Sequence, residues 1–333
     1  MDPLVAMVVL VVVISLVFDY TNGFHDAANA IATSVATRAL TPRAALMMAA
    51  GMNFVGAMLG TGVAMTIGSG IIDTPTGTSG LVVVLAGLLG AISWNLITWW
   101  FGLPSSSSHG LIGGLAGAAL VVSAPVHWPV IGEKVIIPMF LSPVVGFVLA
   151  FLLMTLIRTI FKRAPYKTTM KRFRVAQTIS AGATALGHGL QDAQKTMGVM
   201  VLALVAGGFH DGKSVPIWVM MSAAGAISFG TYAGGWRIMK TLGTKIADLS
   251  PAQGFAAESV AASVLYVMAF AFKAPISTTH TITASIMGVG ATNGKSAVRW
   301  GTASNIVVAW FITFPAAGAI AAVFCFILHL FIH

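Results

Sequence analysis

The chain is poor in charge. Of its 333 residues only 8% are Asp, Glu, Lys or Arg, against about a quarter in an ordinary soluble domain. So little polar surface cannot cover a soluble body of this size, which excludes that class, and intrinsic disorder and fibrous structure with it. Cysteine is scarcer still. The single one, Cys325, lies in the apolar run VFCFIL, so a disulfide framework, a cysteine metal centre and a redox pair are all excluded. Acidic residues number nine against 18 basic ones. In a soluble protein that excess would raise nucleic acid as a partner. In an apolar chain it marks one side of a membrane, and no nucleic-acid partner is expected. No cleavable leader is expected, because the run Pro3 to Phe18 leads into polar residues with no small-residue cleavage site.

What is present is hydrophobic. Apolar residues make up 57% of the chain, and mean hydropathy is +0.91. At ~20 residues per span the length allows about ten membrane helices in a lipid bilayer. The 36 glycines suit close packing of such helices. Apolar segments fall at 4–37, 42–67, 80–101, 105–123 and 135–161, then at 175–206, 215–236, 252–272, 275–292 and 298–331. Between the two sets lies KRAPYKTTMKRFR (162–174), the one strongly basic stretch. It reads as a solvated cytoplasmic linker between halves. With each segment crossing once, 14 of the 18 basic residues fall on the linker's side. Lys134, Lys213 and Lys273 fall opposite, and Lys195 lies within the membrane. The positive-inside rule then puts both termini outside. An odd number of crossings per half makes 1–161 and 175–333 antiparallel.

Two motifs recur in the same order. Gly23-Phe-His-Asp-Ala-Ala-Asn29 aligns with Gly189-Leu-Gln-Asp-Ala-Gln-Lys195 at an offset of 166, and Pro104-Ser-Ser-Ser-Ser-His109 with Pro275-Ile-Ser-Thr-Thr-His280 at 171. The expected fold is therefore an all-α polytopic membrane protein: an inverted-topology repeat of two five-segment halves, with broken helices and re-entrant helical hairpins.

The first apolar run is interrupted by DYTNGFHDAANA (19–30), where Asn22-Gly23 is a turn signal. A discontinuous helix is expected, its second half starting near His25. His25, Asp26 and Asn29 can share one face. The counterpart GHGLQDAQKTMG (187–198) sets Asp192 and Lys195 three apart. Ionisable residues inside a membrane cost at least ~2.5–3.5 kcal/mol each on insertion scales, so Asp26, Asp192 and Lys195 need partners or a wet cavity. A purely structural Asp192–Lys195 pair is the bland alternative; two matched carboxylates fit a site better. In the second motif pair, a Pro and a hydroxyl cluster (Ser106, Ser107, Ser108; Ser277, Thr278, Thr279) precede a helical run. Helix-start N–H groups with added hydroxyls make a donor set for an oxyanion, though Ser and Thr there also serve as ordinary caps. Equivalent hydroxyls without a separate base suit binding rather than nucleophilic catalysis, so no enzyme is expected. His109 and His280 close the clusters, as structural residues or as ligands. Glu258, in LSPAQGFAAES, is either a proton relay or gate or a hydrogen-bonded buried carboxylate. Asp19 is either a hinge or a cavity-facing carboxylate.

At these residues the chain resembles the inorganic phosphate transporter (PiT) family. Its paired signature, of the form G-x-N-D-x-x-N-x, is matched by GFHDAANAIAT (23–33) and GLQDAQKTMG (189–198). Its hydroxyl-rich hairpins are matched by LPSSSSHG and APISTTHT. The resemblance implies a symporter holding inorganic phosphate between two hairpin helix starts and two broken helices. Carried over by position, the resemblance implies a site of Asp26, Asn29, Asp192, Ser106, Ser107, Ser108, Ser277, Thr278 and Thr279. With Lys195 added for its charge, the expected phosphate ligands are the six hydroxyl residues, Asn29 and Lys195, and the expected coupling-ion residues are Asp26 and Asp192 together with His25, Gln191 and Glu258. The chain departs from sodium-coupled members at His25 and Gln191, which stand where they have Asn, and at Lys195, which replaces a second Asn. An ammonium repels sodium and can stand in for it. Proton coupling is therefore expected, as in the bacterial low-affinity branch, with Mg2+ or another divalent cation accompanying phosphate as a further option and no cofactor or certain resident metal site. That branch implies the bacterial cytoplasmic (plasma) membrane. A homo-oligomer is compatible with this reading. The alternatives are a sodium-coupled phosphate symporter or a sulfate permease on the same scaffold, a passive pore, and an intramembrane hydrolase.

Overall fold

The computed structural model describes residues 2–332. Helix α1 (Pro3–Ala36) and α2 (Pro42–Ala57) each open on a proline, which has no N–H to leave unpaired at that position. Asp2 and Thr41 cap them, accepting from Leu4 N at 2.9 Å and Ala44 N at 3.4 Å. Then come α3 (Gly62–Gly70), α4 (Thr78–Phe101) and α5 (Ser107–Val121). The short α6 (Trp128–Ile131) passes through a π-helical turn, Gly132–Ile136, into α7 (Ile137–Ile160). The second half runs α8 (Tyr166–Ala206), α9 (Ile217–Ala233), α10 (Trp236–Lys240), a π turn Thr241–Lys245, α11 (Pro251–Phe270), α12 (Thr278–Ala291) and α13 (Trp300–Phe331). Among the described residues no strand forms; two isolated bridges join Ile72 to Val126 and Ala247 to Val298.

Five stretches are long and apolar enough to cross a membrane: α1, α4, Trp128–Ile160, α11 and α13. A sixth is the pair α2 and α3, bent by 71°. Helices α5 and α12 have 15 and 14 residues, so each rises only about 22 Å, short of a ~30 Å hydrocarbon core. Each packs back on the helix before it, α5 on α4 and α12 on α11. The basic stretch also differs from a free loop: behind Pro165 it becomes the first turns of α8, since nothing from Tyr166 onward breaks a helix.

The helix breaks expected near His25 and in 187–198 are absent, because α1 and α8 run continuously through both motifs. The glycines there serve close approach instead of a turn. A Cβ on Gly23 would stand 2.4 Å from Ile227 O on α9, and one on Gly189 2.2 Å from Asn53 O on α2. Both motifs thus let a neighbouring helix lie against the α1–α8 pair.

Packing in the two halves follows one pattern. Helix α1 lies on α9 as α8 lies on α2; α5 lies on α13 as α12 lies on α7; α4 contacts α13 as α11 contacts α7. Two apolar cores result, one around α3, α4 and α5, the other around α10, α11 and α12. Both include parts of α1 and α8. Along α1 runs a buried polar stripe, Ser15, Asp19, Asn22, Asp26, Asn29, Thr33 and Thr37, at the three- and four-residue spacing of one helix face.

Candidate functional site

The site forms where the starts of α5 and α12 meet the middles of α1 and α8. Ser106 and Ser277 fix those starts, accepting from His109 N at 3.2 Å and His280 N at 3.1 Å. The following residues, Ser107 and Thr278–Thr279, point their hydroxyls at α1. Ser107 Oγ donates to Asp26 Oδ2 at 3.0 Å and Thr279 Oγ1 to Asp26 Oδ1 at 3.2 Å. Asn29 Nδ2 donates to Thr279 Oγ1 at 2.8 Å and Thr278 Oγ1 at 3.2 Å. Ser108 Oγ donates to Ile276 O at 2.9 Å, tying one helix start to the other.

Helix α8 supplies the positive charge. Lys195 Nζ lies 2.9 Å from Asp192 Oδ2 and donates to Ser107 Oγ at 2.7 Å. Their three-residue spacing on a continuous helix puts both on the face that meets α1. Asp192 Oδ2 also takes Asn22 Nδ2 at 3.3 Å and lies 3.3 Å from His188 Nε2. His188 is held from behind by Asn53, whose Oδ1 is 3.0 Å from His188 Nδ1 and whose Nδ2 donates to Thr231 Oγ1 at 2.7 Å. Asp26 has its own histidine: His25 Nδ1 is 2.8 Å away, and His25 Nε2 is 3.1 Å from Thr98 Oγ1 and 3.4 Å from Ser105 Oγ. One ligand atom each from Asp26, His188 and Asp192 falls within 4.8 Å of the others, a spacing that a small cation could bridge.

Every hydroxyl, amide, carboxylate and ammonium of this cluster is at most 3% exposed. The cluster is therefore closed to both sides as it stands, and its donors are occupied by one another.

Not every expected residue joins it. Gln191 turns away and donates to Leu265 O at 3.3 Å and Ala274 O at 3.5 Å. Glu258 forms a second cluster, accepting from Thr33, from Ser180 Oγ at 2.5 Å and from Gln177 Nε2 at 3.2 Å. Thr33 stands seven residues past Asp26, about 10 Å along α1. The rings of His109 and His280 make no hydrogen bond to the cradle: they are tilted against each other, centroids 4.9 Å apart, and His280 stacks on Trp310. The sequence reading missed His188, Asn53, Asn22 and Thr98. His188 carried a usable signal, four residues before Asp192; Asn53 and Thr98 did not, because their partners are distant in sequence.

Residues 22–321 match the phosphate transporter family. The chain belongs to that family. Relatives described as probable low-affinity inorganic phosphate transporters include one from Bacillus subtilis, 45% identical over 99% of both chains. Another, from Rhizobium meliloti, is 47% identical over 97% of both. The fold also matches a solved structure described as the sodium-dependent phosphate transporter, with a TM-score of 0.89. That match covers 98% of this chain and all of the other at 23% identity, and so speaks for the fold. Membership makes the chain a multi-pass membrane transporter and not an enzyme.

Proposed function

We propose that the chain is a secondary active symporter that imports inorganic phosphate with protons by alternating access. The observation that carries the reading is the convergence of two hydroxyl-bearing helix starts on one buried ammonium and two carboxylates. Phosphate near neutral pH carries between one and two negative charges and cannot cross hydrocarbon bare. The N–H groups at the starts of α5 and α12, the hydroxyls of Ser107, Thr278 and Thr279, Asn29 and the Lys195 ammonium can replace its water. To do so they exchange the bonds they now make to one another. Asp26 and Asp192 would repel the anion, so a co-transported cation must offset them. Ser106, Ser108 and Ser277 hold the helix starts in place. His25 orients Asp26 within this scheme, while Gln191 acts by pinning α8 to α11.

The matched packing of the halves supports an inverted repeat, 1–161 and 175–333, joined by the basic segment 162–174. One lobe rocks against the other around the shared cradle. The positive-inside rule supports a bacterial cytoplasmic membrane orientation with both termini outside. A fixed ammonium at Lys195 favours protons over sodium as the coupling ion. The carboxylates and imidazole of Asp26, Asp192 and His188 support a second form of the cargo, phosphate carried as its divalent-metal complex, since such donors suit small divalent cations.

Labelled-phosphate uptake into proteoliposomes, with pH, sodium and magnesium varied separately, tests this. Uptake should rise with an inward proton gradient and ignore sodium. Sodium-dependent uptake would overturn the proton reading, and equal competition by sulfate would overturn the phosphate preference.

A further inference from the structure

Four carboxyl groups are fully buried among the described residues: Asp19, Asp26, Asp192 and Glu258. Three are hydrogen-bonded. Asp19 is not. It is 0% exposed, and neither of its oxygens completes a hydrogen bond. Helices α1 and α8 run antiparallel past each other: Asn22 meets Asp192, and one turn earlier on α1 Asp19 faces Thr196 and the Lys195 ammonium. Thr196 Oγ1 likewise completes no hydrogen bond. A bare carboxylate in this setting costs several kcal/mol. Lys195 does not remove that cost, because its ammonium is already bonded to Asp192 and Ser107.

The charged groups that face Asp19 are Lys195 and Asp192, both on α8. Helices α3 and α4 carry no titratable side chain. Arg43 on α2 and Tyr232 on α9 are exposed. The groups on α10, α11 and α12 belong to the other half of α1, where those elements meet Phe24, Asn29 and Thr33. Asp19 and Thr33 lie seven residues either side of Asp26, each about 10 Å from it along one face. The phosphate cradle is therefore flanked by a lone carboxyl on one side and the Glu258 cluster on the other.

We propose that Asp19 is the group that carries the co-transported proton on the side of the cradle nearer the N-terminus. It takes a proton from water on the outer side and holds it as the neutral acid in the closed arrangement. When phosphate draws the Lys195 ammonium away from Asp192, the acid form keeps a further negative charge out of the site. When the site opens inward, water reaches Asp19 as phosphate leaves. The Asp19 O–H bond breaks and its proton passes to that inner-side water, and the carboxylate is hydrated until it is reprotonated from the outer side. This rests on the proton-coupled reading above and adds to it the residue that holds the proton.

The test compares gradient-driven accumulation of labelled phosphate with phosphate–phosphate counterflow, which needs no net proton movement. Gradient-driven uptake by the unaltered protein is the control. If that is absent, the proton reading fails as a whole. If it is present, Asp19→Asn should lower accumulation at least about tenfold, within the ~5–150-fold range of coupling free energies, while counterflow persists. Gradient-driven uptake by Asp19→Asn equal to that of the unaltered protein would overturn the assignment and leave proton coupling standing. Loss of counterflow as well would overturn it too, since Asp19 would then serve binding or structure. Infrared spectroscopy gives an independent readout if the Asn variant does not fold. Asp19→Glu keeps the carboxyl and should transport, but it should shift the C=O stretch of the buried protonated acid at neutral pH. No shift would overturn the proposal.

Discussion

Lys195 Nζ donates to Ser107 Oγ across 2.7 Å, so the long helix of the second half reaches directly into the hydroxyl hairpin of the first. The contact is closed to solvent, with Lys195 1% and Ser107 2% exposed. A bond from a charged donor in such a place is worth about 1.5–3 kcal/mol. Lys195→Met keeps the bulk and removes the charge. It should weaken equilibrium binding of labelled phosphate in detergent by about 10–100-fold, given tenfold per ~1.4 kcal/mol. Unchanged affinity would remove Lys195 from the cradle.

Asp192 and Lys195 form a tightly coupled pair at 2.9 Å. Removing one member of a buried pair costs about 3–5 kcal/mol, whereas removing both together costs far less. Asp192→Asn and Lys195→Met should each lower the melting temperature of the purified protein. The double variant should be more stable than the sum of the singles predicts. Asp192→Asn should still insert in the membrane and yet transport no phosphate. Normal uptake by that variant would take Asp192 out of the mechanism, and strict additivity would show that the pair is not coupled.

The sequence is most readable where chemistry repeats at short range. Asp26, Asn29, Asp192, Lys195 and the two hydroxyl clusters could be found because rare polar residues stand out in an apolar chain and recur in the same order at offsets of 166 and 171. The continuity of α1 and α8 could not be read in the same way. Asn22-Gly23 has the composition of a turn, but the backbones of Ile227 and Gly230 lie against Gly23, and a tight helix contact needs the same residue that a turn does. Asn22 likewise serves Asp192, 170 positions away. The role of Asn53 behind His188 depends on α2 lying along α8, a tertiary fact with no local trace. Gln191 shows a related limit: adjacency to Asp192 in sequence turns it about 100° around the helix, toward Leu265 of α11.

Those glycine contacts carry a stability prediction. Gly189→Ala would place a Cβ 2.2 Å from Asn53 O, and Gly23→Ala one 2.4 Å from Ile227 O. Both obstacles are backbone atoms that a rotamer change cannot relieve. Gain of helix propensity, up to ~1 kcal/mol for Gly to Ala, is outweighed by overpacking of about 1–3 kcal/mol or more. Both variants should melt below the unaltered protein. Gly225→Ala is a built-in control, since a Cβ there meets nothing within 4 Å, and it should be neutral or slightly stabilising. A destabilised control paired with tolerated changes at Gly23 and Gly189 would refute the packing account.

The hydroxyls of the second hairpin separate by role. Ser277 accepts from His280 N at 3.1 Å, the bond of a helix cap, while Thr279 donates to Asp26 at 3.2 Å and accepts from Asn29 at 2.8 Å. Loss of a cap costs about 0.5–2 kcal/mol of stability, and it need not change what the next turn binds. Ser277→Ala should therefore lower the melting temperature and leave phosphate affinity within about twofold, a loss under ~0.5 kcal/mol. Thr279→Val preserves shape but deletes the hydroxyl that phosphate would meet, and it should weaken binding by about 5–10-fold, one neutral hydrogen bond's worth. Titrating both variants with labelled phosphate and melting both in parallel decides the matter. The reverse pattern, with affinity following Ser277 and stability following Thr279, would exchange the two roles.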